Sequence, residues 1–298
     1  SVLKAAVEGK LTEDWRKQHP DVEPAGKLLD RILTERRTKW TGKGKYKEPA
    51  PADTSNLPSL PDRWLWCITD ALFSYITSGS RGWAQHYSVE GPLFLRIGNL
   101  DHDSIRLDLK DIQRVKPPEG AEGTRTKVEE GDILVSITAD VGMIAMAPPS
   151  LGEAYINQHV ALARPILWIC REYLAWYLAS RDGGQKHFRR LQRGATKVGL
   201  GLDDIRAVPV PLPPLAEQQH IVAEVERRLS VIEELEATVE ANLTRADRLR
   251  QAILSQAFSG RLLGRDEKHI PDILPTFSIA AESQASYGRT TLPGGELR

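Results

Sequence analysis

The stretch LAEQQHIVAEVERRLSVIEELEATVEANLTRADRLRQAILSQAFSG (215–260) decides the architecture. No Pro or Gly interrupts it between Pro214 and Gly260, and positions 222, 225, 229, 232, 236, 239, 243, 246, 250, 253 and 257 follow 3–4 spacing. Nine of these eleven are apolar, running from Val222, Val225, Leu229 and Ile232 through Val239 and Leu243 to Ile253, with Glu236 and Arg250 the exceptions. Five heptads with one apolar stripe predict a coiled-coil helix rather than a helix of a globular core. At about 1.5 Å per residue, residues 216–257 make a rod of roughly 60 Å, which calls for a partner helix. Residues 216–243 hold seven Glu and two Arg, so that end is suited to protein rather than to nucleic acid.

Upstream, VPVPLPPL (208–215) places Pro at alternate positions, which confines it to an edge strand or an extended connector. Before it, from about Trp64, the period shortens to two. In SIRLDLK (104–110) Ile105, Leu107 and Leu109 share one face; in GDILVSIT (131–138) Ile133, Val135 and Ile137 do. PLFLRIG (92–98) and YINQHVALARP (155–165) alternate similarly. Such segments, punctuated by Gly and Pro, predict a half-buried mixed sheet. One helix, REYLAWYLAS (171–180), interrupts them, and QKHFRRLQR (185–193) follows with Phe188 and Leu191 on its inner face. The fold class is α+β: a globular mixed-sheet domain followed by a long coiled-coil helix.

The first residues, SVLKAAVEG (1–9), have the apolar spacing and terminal Gly of a helix end. VLKAAVEGKL (2–11) also aligns without gaps to ILSQAFSGRL (253–262), with Leu3/Leu254, Ala6/Ala257, Gly9/Gly260 and Leu11/Leu262 identical. Ten residues of helix terminus can coincide by chance; the alternative is that the chain begins where an earlier copy of the coil ended, in a parent of alternating domains and coils. Between this end and the domain, RILTERRTKWTGKGKYK (31–47) carries seven Lys/Arg against one Glu, and EPAPADTSNLPSLPD (48–62) is rich in Pro and Ser. The basic stretch reads either as a solvated connector or as a phosphate contact.

The chain has 298 residues, with 40 Lys+Arg balancing 40 Asp+Glu, which excludes a uniformly basic nucleic-acid binder but not a segregated one. Two cysteines make neither a disulfide framework nor a zinc site, and a reducing compartment is expected. No apolar run approaches a membrane span of about 18 residues. GATKVG (194–199) and GKGK (42–45) lack phosphate-loop spacing, and the seven histidines never pair at metal spacing. No metal site is expected. Glu90, standing 18 residues before Asp108-Leu109-Lys110, resembles a nuclease metal site only loosely.

Four passages resemble the DNA-sequence specificity subunit of type I restriction-modification systems. LPPLAEQQHIVAEVE (212–226) resembles the start of that family's distal spacer helix, while AILSQAFSGRL (252–262) and VLKAAVEGKLTEDWR (2–16) resemble the ends of its distal and central spacer helices. LPDRWLWCITDALFSYITSGSRGW (60–83) is similar to the opening of a target-recognition domain, and RGATKVGLGLDDIRAVPVPLPP (193–214) to its close. The resemblance implies this organisation: 1–16 the end of a preceding spacer helix, 17–61 a basic and Pro-rich linker, 62–212 the target-recognition domain, 213–262 the distal spacer helix, 263–298 a flexible tail. A full subunit of the family has two recognition domains, so the chain is expected to be the C-terminal half of one or a natural half that dimerises. The family implies a non-catalytic protein of the prokaryotic cytoplasm. Its partners would be double-stranded DNA, the modification (methyltransferase) subunits that carry S-adenosylmethionine, indirectly the restriction subunit, and a second spacer helix from the same parent chain or a dimer mate.

DNA recognition needs cations for phosphates and planar donors or acceptors for base edges. SGSRGWAQHYS (78–88) supplies Ser80, Arg81, Trp83, Gln85 and Tyr87 as base-contact candidates, or else is an ordinary aromatic-pinned loop. Arg96 and Asn99, Thr138 and Asp140, and Gln158 complete that set, with capping or structural roles as the alternative for Asp140 and Gln158. Phosphate contacts are expected from Lys186, Arg189, Arg190, Arg193, Thr196 and Lys197, in a segment whose six cations (Arg181 included) face only Asp182. A coiled-coil adaptor whose head binds polypeptide would leave that segregation unexplained.

Overall fold

The computed structural model describes all residues except 41–43, 118–119, 167–168, 192–198 and 263–298. Its elements are α1 (Val2–Val7), α2 (Glu13–Gln18), α3 (Ala25–Thr38), β1 (Leu65–Ile68), α4 (Thr69–Leu72), β2 (Phe73–Ser78), β3 (Tyr87–Leu95), β4 (Gln113–Val115), α5 (Ala121–Thr126), β5 (Ile133–Ser136), β6 (Ile144–Met146), β7 (Ala154–Ile156), β8 (Val160–Pro165), α6 (Arg171–Ala179), α7 (Gly184–Leu191), α8 (Leu202–Arg206), β9 (Pro209–Leu212) and α9 (Leu215–Phe258). The described residues fall into two units, one over 1–234 and one from Leu235 onward. The α+β class and the long C-terminal helix stand as expected. Among the described residues no helix is long and apolar enough to cross a membrane.

In the first unit an antiparallel sheet in the order β2-β8-β5-β6 lies between two hydrophobic cores. Ile133 and Val135 of β5 enter one core with Leu28 and Ile32 of α3, Leu174 and Leu178 of α6 and Phe188 of α7. Leu134 enters the other with Leu93, Leu95 and Ile156 of the sheet β4-β3-β7. All four β5 residues are therefore buried, and the half-buried strand expected from the alternation is corrected: helices cover one face and the small sheet the other. The 104–110 segment is corrected too. Ile105 is buried and Arg106 and Lys110 are exposed, as its alternation predicts, yet it forms no strand. Period-two burial needs only an extended chain lying on a core, whereas a strand needs a neighbour for its backbone. β9 does carry its prolines at a two-stranded edge, paired with β1.

The 17–61 linker is interrupted by α3, whose Ala25, Leu28 and Ile32 are buried in the main core. A short helical pattern near 28–33 marks it in the sequence, and the structure extends the helix at both ends into charged surroundings. Arg36 reaches from this helix to the carbonyls of Asp70 and Phe73, so the basic face is partly committed to the fold. The tail beyond 262 lies outside the described residues.

The beginning of α9 is held by a polar joint. Glu217 is 0 % exposed and accepts hydrogen bonds from Thr12 Oγ1 (2.7 Å), Arg16 Nε (3.0 Å) and Trp64 Nε1 (2.8 Å). Around it Ile221, Val222 and Val225 cluster with Val2, Leu3 and Ala6 of α1, and with Trp64 and Tyr173. Val222 and Val225 are thus covered within the unit rather than by an outside helix, and Leu229 packs partly against the same cluster. Ile232 is exposed. In the second unit Val239 is 57 % and Leu243 64 % exposed, and Ile253 is exposed as well.

The terminal repeat extends to backbone geometry. Gly9 (φ +69°) and Gly260 (φ +70°) both take the left-handed conformation. The Gly9 and Lys10 amides donate to the Ala6 and Ala5 carbonyls; those of Gly260 and Arg261 donate to Ala257 and Gln256. This is one helix-stop motif used twice, at equivalent positions of the alignment.

Replacing Glu217 by Gln keeps the shape but leaves Arg16 without its anion and removes one acceptor oxygen. A loss of about 2–4 kcal/mol in stability to urea is expected; an unchanged midpoint would show that the joint is dispensable.

Candidate nucleic-acid interface

The register of the central sheet brings four chain segments to one edge. Ser78 at the end of β2 pairs with Ala161, and Ser136 at the end of β5 pairs with Val160. The 78–82 loop, the 137–143 turn between β5 and β6, and the 157–159 turn between β7 and β8 therefore lie together. The parallel pair β3–β7, with Leu95 opposite Ile156, carries Arg96 to the same end.

Specific bonds lock these segments to each other. A Cβ on Gly79 would lie 2.2 Å from the Asn157 carbonyl carbon, so only glycine lets the loop approach this closely. Arg125 of α5 donates to Thr77 Oγ1 and the Ser78 carbonyl (2.5 Å each) and to Ser80 Oγ (2.6 Å). His159 Nδ1 lies 2.6 Å from Thr138 Oγ1, and its Nε2 lies 3.0 Å from Gln158 Nε2. Asp140 is paired with His102 at 2.8 Å. Gln185 of α7 donates to the Gly142 carbonyl and, at 3.1 Å, to that of Leu178, which ties the basic helix to the 137–143 turn.

On this edge Arg81 and Asp140 are exposed, while Ser80, Thr138 and Gln158 are half-buried. Gln85 and Tyr87 are exposed as well, but Tyr87 pairs with Val115 whereas Phe94 pairs with Gln113, which sets them toward the other end of β3 from Arg96. Arg96 is half-buried and donates to Asp111 at 2.8 Å. Two base-contact candidates are corrected. Trp83 is 4 % exposed and stacks on Phe94 at 5.1 Å, a core aromatic rather than a flat surface for bases. Asn99 is 3 % exposed, and its amide donates to the Asp108 and Asp111 carbonyls and accepts from the Arg96 amide. It organises the 96–111 excursion instead of reading DNA. Lys186, Arg189 and Arg190 are exposed on α7 opposite buried Phe188, as the amphipathic pattern predicts. Burial, reinforced by the neighbouring Arg190 and Lys186, lowers the pKa of His187, so it favours the neutral form in the basic row. Arg193, Thr196 and Lys197 lie outside the described residues.

Two participants escaped the sequence reading. His159 has no metal spacing, and Arg125 belongs to no motif; each matters through partners distant in sequence.

Other chemistries find little support here. Among the described residues no group of three His, Cys, Asp or Glu is placed to hold a metal ion. Asp108 and Lys110 lie on no strand, so the geometry that the nuclease resemblance required is absent. Burial pushes the Cys67 and Cys170 thiols up to about 12, which leaves no thiolate nucleophile at neutral pH.

Residues 121–245 match the family model described as type I restriction modification DNA specificity domain. The type I restriction enzyme EcoDI specificity subunit of Escherichia coli is 37 % identical over 290 residues, covering 94 % of this chain and 57 % of that protein. The EcoKI specificity subunit of Escherichia coli (strain K12) is 26 % identical over 291 residues, with 94 % and 52 % covered. The fold agrees with that of a chain solved in a study of assembly and conformational transition of the type I R-M system. The TM-score is 0.55 at 22 % identity, covering 87 % of this chain and 58 % of that one. The class is thus that of a protein carrying a type I DNA specificity domain, followed here by a long helix. The chain is similar over nearly its whole length to type I restriction enzyme specificity subunits, and it spans about half the length of the curated relatives it matches.

The close approach at Gly79 gives a direct test. Gly79→Ala must force the 78–82 loop off the 157–159 turn and is expected to cost about 1–3 kcal/mol. Gly98→Ala, where a Cβ meets nothing within 4 Å, should stay within about 0.5 kcal/mol of the parent. Equal midpoints for the two variants in chemical denaturation would contradict the packing described.

Proposed function

We propose that this chain is the DNA-recognising, non-catalytic component of a type I restriction-modification assembly in the prokaryotic cytoplasm. One observation carries the reading: the sheet register and the bonds of Gly79, Arg125, His159 and Gln185 gather exposed hydrogen-bonding side chains and a basic helix on one edge. Arg81, Thr138, Asp140 and Gln158 supply base contacts, with Ser80 and Arg96 anchored beside them and Gln85 and Tyr87 set apart from this group. Lys186, Arg189 and Arg190 hold phosphates, joined by Arg193, Thr196 and Lys197. The bases read belong to one half of a bipartite target.

The exposed apolar row of α9 supports the second half of the proposal. Val239, Leu243 and Ile253 lack cover among the described residues, and a second spacer helix, from the same parent chain or a dimer mate, would bury them. The modification subunits dock along this helical region and bring the S-adenosylmethionine and the methyl-transfer site. The restriction subunit joins through them.

Salt dependence separates the two contact classes. Each neutralised phosphate contributes about −0.9 to the log–log slope of affinity against salt, so Arg189→Ala with Arg190→Ala should flatten the slope by about 2. Arg81→Ala should change it by less than about 1 while relaxing discrimination by about 1–3 kcal/mol. Titrations of duplex DNA with one assembled complex measure both quantities; an unchanged slope in the double variant would make α7 a solvated face.

Val239→Asp with Leu243→Asp, both exposed on α9, is expected to abolish helix pairing or subunit assembly while the mixed-sheet domain keeps its circular dichroism and cooperative melt. Normal assembly of this variant, measured by light scattering, would refute the pairing role.

A further inference from the structure

The 137–143 turn carries an irregularity between two base-contact candidates. Ala139, flanked by Thr138 and Asp140, has φ +58°, a left-handed conformation that residues with a Cβ rarely adopt. A tip of this kind persists when its surroundings hold it. The feet of the turn are well held. The Ile137 amide donates to the His159 carbonyl and the Ile137 carbonyl accepts from the Leu200 amide, each at 2.9 Å, and the Gly142 amide donates to the Ser136 carbonyl at 2.9 Å. Val141 is buried in the main core, whereas Ala139 and Asp140 are exposed.

Gln185 fastens the returning arm of this turn to the basic helix. Its amide nitrogen has two protons, and it donates to two carbonyls, those of Gly142 and Leu178. The Leu178 carbonyl belongs to the last turn of α6, where helix carbonyls need an outside donor. A Cβ on Gly142 (φ +93°) would lie 2.8 Å from Gln185 Oε1, so glycine there admits the amide. α7 itself is seated firmly: Phe188 is buried, and a Cβ on Gly184 would lie 2.5 Å from the Leu178 Cα. One side-chain amide therefore joins three pieces, the end of α6, the start of α7 and the Gly142 arm. Lys186, Arg189 and Arg190 project from the same short helix.

We propose that Gln185 is a positioning residue for base discrimination, which makes the phosphate-contacting helix the reference that sets Thr138 and Asp140 against the base edges. The proposal rests on the reading of this edge as the DNA-contact surface. Phosphate contacts fix register and orientation without reading sequence, and base contacts read sequence only when register is correct. A turn with a left-handed alanine at its tip transmits that register through its attachments. Gln185 is the attachment that leads directly to the cations of α7.

The test is selection from a pool of randomised duplex DNA by the full chain in its assembled complex, followed by sequencing, with salt titrations on the selected duplex. Thr138→Ala with Asp140→Ala identifies the positions read by this turn through the preference lost there. Gln185→Met keeps the length and removes both donors, and it should lower the preference at those same positions about tenfold. Preferences elsewhere and the log–log salt slope should match the parent. Added to the Thr138/Asp140 pair, Gln185→Met should cost nothing further, whereas added to Arg81→Ala its loss should appear in full. Gln185→Glu also lacks the N–H donors, and a carboxylate is favoured in the first turn of α7, so this variant stays informative if the methionine variant fails to fold. It should show the same loss of preference. Parental preference at those positions in the folded Gln185 variants overturns the inference, whether affinity falls equally for all sequences or does not change. Parental preference at every position in the Thr138/Asp140 variant overturns the base-contact reading of the turn and this inference with it.

Discussion

The constraint on which the rest depends is burial of the central sheet on both faces. Because β5 sends Ile133 and Val135 into one core and Leu134 into the other, its register against β8 cannot slip by a residue without exchanging the two sets. That locked register fixes where β2, β5, β7 and β8 turn, and so which loops meet. The edge loops contribute little core of their own. Gly79, Arg125 and His159 hold them by close approach and hydrogen bonding, to a frame that the apolar layers already define.

A second constraint joins this frame to the long helix. Glu217 is a carboxylate fully removed from solvent, and it is tolerable there because three donors and the Arg16 charge converge on it. Two of its partners, Thr12 and Arg16, come from the segment after α1, and the third, Trp64, precedes β1. The chain's first residues are thereby packed beside the start of α9. The same helix-stop motif recurs at Gly260, so the segment that completes one joint has a counterpart at the far end of α9.

Periodicity made the long helix, β9, α6 and α7 legible in the primary structure, since each has a face whose spacing no other element shares. It failed for 104–110, where alternation reflects contact with a core rather than strand pairing, and for α3 it showed only a short pattern near 28–33, because charged residues surround the three buried apolar ones. At the candidate interface residue type was informative only where a side chain's chemistry is one-sided. The exposed cations of α7 belong to that group. Trp83 and Asn99 do not, because an aromatic ring or an amide serves a core and a groove equally well, and both are buried here.

The sequence by itself determined the sheet domain followed by a long helix, the apolar stripe, the segregated charge and the repeated helix end. All are local, carried by residues within a few turns of one another. Only the tertiary structure decided that the N-terminal segment covers the first part of the stripe, that β5 is buried on both faces, and that His159 links Thr138 to Gln158. Those outcomes depend on hydrogen bonds and apolar contacts between residues up to about two hundred positions apart, such as Thr12 and Glu217. Local spacing carries no information about such pairs, because each becomes adjacent only after the layers between them have packed.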